Sequence, residues 1–570
     1  MKKRILSFLI AAIFLGNCIQ AVAAGSASVP AYSDVPSNHW AVGYINQSTQ
    51  LGIINGIGGN LFGLGQNVTR AQFATMLVRL FDWQPVTPAT PSFTDDQDKS
   101  AWFYSAIETA VYNGAVIKDS PEFRPDARIT REEMAVMLVR ALGYDALASG
   151  VAGYGIPFTD VTRNTGYITI AYNFGIINGM TATTFVPGGS ATREQAAAMM
   201  LRLYNKHSSK LDWLHAFYAI SSASQMSCIP DFNAVSLGWS ELEYSESGGA
   251  YLNTTSSGGN VYNIPTGSAS VTQLAQSSNV PVNLNIYMST SQTVKKSDGT
   301  ASDACREILL NSANRSAALS QIITQIKNNP SLAGVTIDFE GMSGTDLKAG
   351  LTAFLKDLHT TMNGLGKKVY VCVEPVTPDG QYYNAYDYRA IGENSDKVIL
   401  MAHDYQATSM PDNLKAAGFT VTPLTPINEV YYALKAITDP NTGVADLSKI
   451  ALAVSFNTAQ WQLQNNQVIN SAPYHPDTAS VYTRLIASGT TINYSKQYQN
   501  AYATFYNSSS NTQNVVWYED ERSIAAKVDL ARMFGINGIS VWRLGLIPNY
   551  ADGAGQDIHY NVLNSLLSEK

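Results

Sequence analysis

Apolar residues recur at helical spacing through the first two hundred positions, and the pattern returns three times. Phe73, Met76, Leu77, Leu80 and Phe81 follow the i, i+3, i+4, i+7, i+8 rule. Met134, Met137, Leu138, Ala141 and Leu142 repeat it, as do Ala196, Met199, Met200, Leu203 and Tyr204. Thr-Arg precedes each stripe, at Thr69-Arg70, Thr130-Arg131 and Thr192-Arg193, with Gln72, Glu133 or Gln195 three residues after the threonine. The threonine hydroxyl can accept from a free amide while the Glu or Gln reaches back, a capping box that predicts a helix start. A second helix is predicted ahead of each, over Val42–Leu51, Phe103–Tyr112 and Tyr167–Phe174, with Gly52, Gly114 and Gly175 placed to end it. The three copies are roughly 60 residues apart and each is too small to close its own core, so they are expected to pack together as an all-α unit.

Beyond Asn205–Lys210 (NKHSSK), a polar stretch without periodicity, the pattern changes. Short apolar runs predict strands at Ala234–Leu237, Val280–Tyr287, Gly334–Phe339, Lys368–Val373, Lys397–Ala402, Ile450–Val454 and Gly538–Trp542. Helical stretches such as Ala317–Lys327, Leu347–Leu365 and Arg522–Met533 lie between several of them. Alternation over this length favours an α/β (β/α)8 TIM barrel, with a doubly wound sheet as the alternative. No glycine-rich phosphate loop follows an early strand, which counts against a nucleotide fold.

A chain of 570 residues with 45% hydrophobic and 14% charged content describes folded, multidomain protein. A net charge of −7 argues against a nucleic-acid partner, which calls for a basic face. The 31 Tyr, 8 Trp and 19 Phe suit a protein that stacks on sugar rings, although aromatics also simply fill cores. Lys2, Lys3 and Arg4, the apolar run Ile5 to Leu15 and the small-residue site Ala21-Val22-Ala23 read as a secretory signal peptide over residues 1–24. That run is short for a membrane span, and no later segment is long and apolar enough for one. Cys228, Cys305 and Cys372 then remain; their spacing is no metal motif, and a Cys228–Cys305 disulfide stays open beside three buried thiols.

Candidate chemistry concentrates in Gly334-Val335-Thr336-Ile337-Asp338-Phe339-Glu340. Side chains alternate along a strand, so Thr336, Asp338 and Glu340 share the face toward the barrel axis. Glu340 stands at the carboxy end, where barrel sites assemble. Two close carboxylates cannot both ionise freely, and a proton-bearing Glu340 beside a charged Asp338 suits general-acid cleavage of a glycoside. The plainer alternative is a solvated or salt-bridged acidic pair. In the repeats, Arg70, Arg131 and Arg193 open helices, where a cation opposes the helix dipole. Either an anionic ligand uses them, or each pairs with its own repeat's aspartate, Asp34, Asp95 or Asp160.

The repeats resemble the S-layer homology family, with copies over 30–85, 90–145 and 155–205. The resemblance implies a pseudo-threefold helical prism that binds secondary cell-wall polymer through Arg70, Arg131, Arg193, Asp34, Asp95, Asp160, Trp40 and Trp102, with Tyr167 near the place of a third Trp. After a linker at 206–212, residues 213–570 resemble glycoside hydrolase family 18, closest to its cell-wall and spore-cortex members. The family's Asp-x-Asp-x-Glu reads Thr336-x-Asp338-x-Glu340 here. Asp231–Ser240 resembles the first strand, and Trp517–Ile524 with Gly538–Gly545 the last turn and strand.

This second resemblance implies substrate-assisted retention on an N-acetylated glycan, with Glu340 as acid, Asp338 holding the acetamide and Trp542 flooring the sugar pocket. Met401-Ala402-His403-Asp404-Tyr405 matches a Met-x-Tyr-Asp segment with His403 in the tyrosine's place; His403 or Tyr405 could then bond the acetamide. Glu374 would meet sugar hydroxyls or form a loop salt bridge. The implied whole is a secreted monomer at the cell wall or S-layer of a Gram-positive-type bacterium, needing no metal or cofactor. Peptidoglycan is the expected substrate, with chitin or a catalytically weak carbohydrate-binding barrel as alternatives.

Overall fold

The computed structural model describes residues 32–151, 155–376, 384–553 and 557–570. The expected signal peptide, residues 1–24, lies outside them. Three helix pairs form the amino-terminal unit: Val42–Gln50 with Arg70–Leu80, Tyr104–Tyr112 with Arg131–Ala141, and Thr165–Asn173 with Arg193–His207. The Thr69 and Thr130 starts carry both bonds of the capping box, while at Thr192 only the reach-back bond from the Thr192 amide to Gln195 Oε1 is made. Gly52, Gly114 and Gly175 end the leading helices at φ of 71°, 75° and 64°, where a side chain would be strained.

The repeats close on one another. Isolated bridges pair Asn67 with Thr192, Thr69 with Arg128 and Thr130 with Ser190, so each helix start is stitched to another copy. The stripes anticipated from spacing are buried: Phe73, Leu77, Met134, Leu138, Met200 and Leu203 are all fully covered.

The second unit is a closed barrel of parallel strands: β1 (Trp213–Tyr218), β2 (Ala234–Ser245), β3 (Val282–Ser289), β4 (Gly334–Glu340), β5 (Lys368–Val373), β6 (Lys397–Leu400), β7 (Ile450–Ser455) and β8 (Gly538–Trp542). β8 pairs with β1 and β1 with β2, which closes the ring. Seven of these strands coincide with the apolar runs. β1 was not anticipated, because all six of its residues are buried and no alternation marks it. Asp231–Ser240 therefore leads into the second barrel strand, not the first.

Between β7 and β8 the chain adds a five-stranded antiparallel sheet built from Ala459–Gln464, Gln467–Val468, Thr491–Ser495, Asn500–Asn507 and Thr512–Tyr518. Trp517 and Tyr518 end this sheet, and Glu521–Met533 is the helix that returns to β8.

The segment 206–212 does not behave as a tether. The last repeat helix runs to His207, Leu211 is buried, and Lys206 donates to the Met533 carbonyl at 2.8 Å. Asn173 donates to the Tyr431 hydroxyl at 2.6 Å, and the Phe174 ring meets those of Phe534 and Tyr431 at 5.3 and 6.4 Å. Gln499 of the inserted sheet donates to the Gly143 carbonyl at 2.9 Å. The repeats and the barrel thus share a packed interface.

Candidate functional site

Two places gather the candidate residues: the seams between repeats and the carboxy mouth of the barrel. At the seams the aspartates do not pair with their own arginines. Asp34 accepts from the amides of Phe62, Gly63 and Leu64, Asp95 from Phe123 and Arg124, and Asp160 from Phe185 and Val186. Each carboxylate orders a loop in its own repeat. The arginine of another repeat then reaches that loop. Arg70 donates from Nε to Phe123 O at 2.7 Å, Arg131 to Phe185 O at 2.9 Å and Arg193 to Phe62 O at 2.8 Å. Each guanidinium also lies over the ring of the same phenylalanine, at 4.8, 4.6 and 5.0 Å. Own-repeat Arg–Asp pairing is therefore excluded, because the backbone amides hold the carboxylates.

Trp40 and Trp102 are 52% and 61% exposed. Tyr167 differs: its hydroxyl donates to Asp145 at 2.5 Å and Arg140 covers its ring. A cavity of about 160 Å³ lies beside Arg70, Arg124, Glu133, Arg140 and Asn164.

In the barrel, β4 delivers its inward face as alternation requires. Thr336 and Asp338 are buried, and Glu340 stands partly open at the strand end. Asn285 on β3 donates to Asp338 Oδ2 at 3.1 Å, and the Cys372 thiol of β5 lies beside the same carboxylate. Asp338 Oδ1 is buried and has no hydrogen-bond partner among the described residues. Burial raises the Asp338 pKa, opposed by the Asn285 and Cys372 contacts and by the field of His403. Burial also raises Glu340, and the charges of Asp338, Glu374 and Asp404 carry it to about 9. Glu340 thus holds a proton at neutral pH.

Around this pair, Glu374 accepts from the Gly341 amide at 3.0 Å, so its carboxylate braces the turn after β4 in place of the loop salt bridge considered above. His403 Nδ1 lies 3.0 Å from Asp404 Oδ2, and Ser455 donates to Asp404 Oδ1 at 2.5 Å. Burial raises the Asp404 pKa, and His403, Ser455 and Asn457 more than offset it, leaving the carboxyl below its usual range. Asp404 sits at φ +61°, which turns the chain so that the Tyr405 amide donates to Leu424 O. Trp542 at the end of β8 packs on Phe217 at 5.1 Å, over a buried group that includes Trp213, Tyr370 and Cys372.

Beneath Asp338 the barrel interior is polar and neutral. Thr336 bonds Ser236 at 2.6 Å, and His215 bridges Ser236 and Ser540, both at 2.8 Å. Burial pulls the His215 pKa to about 3, so its ring is uncharged. A second carboxylate at position 336 would need a counter-charge that this layer lacks.

Asn285, Cys372, Ser455 and the stacked pair Tyr262–Tyr287, 4.5 Å apart, were not singled out from sequence. Asn283 and Asn285 alternate inside an apolar strand, Val-Asn-Leu-Asn-Ile-Tyr, and that was the available signal. The thiols are free: Cys305 and Cys372 are buried, Cys228 is half-buried, and no Cys228–Cys305 disulfide forms. Among the described residues no cluster of three or more His, Cys, Asp or Glu could hold a metal, and no helix is long and apolar enough to cross a membrane.

A closed parallel barrel with a glutamic acid of raised pKa and a buried aspartate at its carboxy mouth is an arrangement suited to acid-assisted glycoside cleavage. Comparison places it further. Residues 295–546 match the profile of Glycosyl hydrolases family 18, and 31–74, 92–135 and 157–197 match the S-layer homology domain. The chain therefore carries three S-layer homology repeats and a family 18 glycosyl hydrolase domain.

It is 29% identical over 252 residues to a cortical fragment-lytic enzyme of Bacillus subtilis, covering 43% of this chain and 54% of that protein. It is 30% identical over 204 residues to an S-layer protein of Bacillus thuringiensis, covering 35% and 24%. The chain thus spans between a quarter and about half of these relatives. Among solved structures, the C-terminal domain of a putative chitinase from Desulfitobacterium hafniense aligns with a TM-score of 0.49 at 20% identity, covering 63% of this chain and 99% of that one. The spore cortex-lytic enzyme SleL of Bacillus cereus aligns at 0.46 and 18%, covering 70% and 83%.

Proposed function

We propose that the protein is a secreted glycosidase held at the surface of a Gram-positive-type cell wall, where it cleaves N-acetylhexosaminyl bonds of peptidoglycan. The observation that carries this reading is the pair at the end of β4: a proton on Glu340 beside a buried Asp338 oxygen with no partner. Glu340 donates its proton to the glycosidic oxygen as the bond to the anomeric carbon breaks. The substrate's own acetamide oxygen forms the new bond to that carbon. Asp338 Oδ1 accepts the acetamide N–H and offsets the charge that develops on it. Glu340, now a carboxylate, takes a proton from the water that opens the cyclic intermediate, so configuration is retained. Asp404 holds His403 at Nδ1 and leaves the other ring nitrogen for the acetamide oxygen, the role open to His403 or Tyr405 on sequence alone. Trp542 offers a ring face beneath the sugar, and Glu374 fixes the turn carrying Glu340.

The repeats are the anchor, binding secondary cell-wall polymer along the seams lined by Arg70, Arg131 and Arg193, with Trp40 and Trp102 stacking on its sugars. Residues 30–205 serve as this anchor and 213–570 as the hydrolase, and one chain supplies all three repeats, so a monomer suffices.

Products released from purified peptidoglycan and from chitin oligomers by the full chain, identified by mass spectrometry, test the assignment. Reducing-end N-acetylglucosamine from peptidoglycan, falling at least about 1,000-fold in Glu340→Gln, is expected. Products from chitin alone move the substrate to chitin, and binding without products from either polymer makes the barrel a lectin.

A further inference from the structure

The second repeat departs from the other two at one buried place. After their loop-ordering aspartates the first and third repeats carry Val35 and Val161, where the second carries Asp96. On the helix Tyr104–Tyr112, Glu108 takes the position that Asn46 and Thr169 hold in the other copies. Both valines pack against the core and are only partly buried. Asp96 is covered more deeply, at 1% exposed, and Glu108 is 3% exposed.

The segment that joins the first repeat to the second lies along the same helix. The Val86 amide donates to Thr109 Oγ1 at 2.8 Å, and the Tyr104 hydroxyl donates to Pro88 O at 2.9 Å. Ser92 donates to both Glu108 oxygens, from its amide at 2.5 Å and from its hydroxyl at 2.7 Å. Asp96 is different: neither of its carboxylate oxygens has a hydrogen-bond partner among the described residues. No Lys, Arg or His among them forms an ion pair with Asp96 or Glu108. Burial raises the Asp96 pKa, and the charges of Glu108 and Asp95 carry it to about 7, so the two buried carboxyls feel each other directly. A proton on Asp96 would remove one charge, but its O–H has no acceptor within hydrogen-bond reach. Buried polar atoms without partners are costly. A cation seated between the two carboxylates would serve both Asp96 oxygens and the spare lone pairs of Glu108.

We propose that Asp96 and Glu108 form a binding site for one hard divalent cation, calcium or magnesium, beneath the segment that joins the first two repeats. The donors are all oxygen. Two carboxylates supply the charge, and neutral oxygens such as the Ser92 hydroxyl, with water, complete a shell that flexible calcium coordination accepts. Through the Ser92–Glu108 bonds the bound cation fastens the joining segment to its helix and stabilises the second repeat. The site is independent of what the seams between repeats bind.

Isothermal titration of the chelator-treated full chain at pH 8 with calcium chloride, and separately with magnesium chloride, tests the proposal. Melting curves with and without each salt run alongside. One cation is expected to bind per chain, and saturation with it is expected to raise Tm by about 2 °C or more. Asp96→Val installs the residue that the first and third repeats already carry, so it should fold, lose the site and melt at the same temperature with or without the salt. Glu108→Gln is isosteric, can keep its contacts with Ser92, and should bind the cation at least tenfold more weakly; it decides the matter if Asp96→Val fails to fold. Binding of neither cation by the wild type overturns the proposal, as does undiminished binding by both variants. A wild-type Tm that rises as pH falls through 7 but answers to neither salt would mean that the two carboxyls share a proton, and it overturns the cation site equally.

Discussion

Glu340 keeps its proton because three neighbouring carboxyls and a dry strand end make its charged form costly. That cost appears in stability as well as in chemistry. A carboxyl raised to about 9 is fully accommodated below the ordinary glutamate value of 4.5 and destabilises the fold progressively as pH climbs toward 9. Glu340→Gln is therefore expected to raise the free energy of unfolding at pH 8, by on the order of a few kcal/mol, and to change it little at pH 4. Calorimetry at the two pH values checks this; an equal gain at both would mean that Glu340 is not electrostatically strained. His215 works in the opposite sense. Its depressed pKa means that stability is present above about 6.5 and is lost as pH falls toward 3. Asp338 and Glu340 were legible in sequence because alternation alone puts them on one face of a strand. Asn285, Cys372 and Ser455 were not, since each comes from a different strand and only the closed barrel brings them to the same carboxylates.

At the scale of elements, the repeat helices were readable nearly to the residue because capping boxes and trailing glycines mark both ends. Thr130→Ala removes the hydroxyl that accepts from the Glu133 amide at 3.2 Å and is expected to cost about 1 kcal/mol in chemical denaturation. A cost near zero would show that the closing contacts between repeats, not the cap, fix the helix start. Strands were legible where flanking turns bounded them, as at Gly334 and Lys368. β1 was hidden by being buried on every side, and the inserted sheet, with strands at Ala459 and Asn500, was not among the runs singled out because it interrupts the strand–helix alternation. Which seam partner each arginine takes was also beyond sequence, because the contact crosses from one repeat to another over some fifty residues or more.

Across the whole molecule, the second and third repeats and the barrel helices Ile427–Ile437 and Glu521–Met533 enclose a common aromatic cluster of Tyr144, Phe174, Tyr431 and Phe534. Under the proposed anchoring, repeats joined to the barrel in this way would set the direction in which its mouth faces the polymer, where a flexible tether would only raise local concentration. Repeats and barrel should unfold in one calorimetric transition. Phe534→Ala, at about 3 kcal/mol, should weaken that coupling; two transitions in the wild type would show independent units. The central claim is that the substrate's acetamide and Glu340 together cleave the glycan. The most direct test is hydrolysis of one defined oligosaccharide with an N-acetyl group at the cleaved sugar and of its twin with a free amine there, followed by NMR of the first-formed anomer. Cleavage of the acetylated glycan alone, with retained configuration, is expected; equal cleavage of both, or inversion, contradicts it.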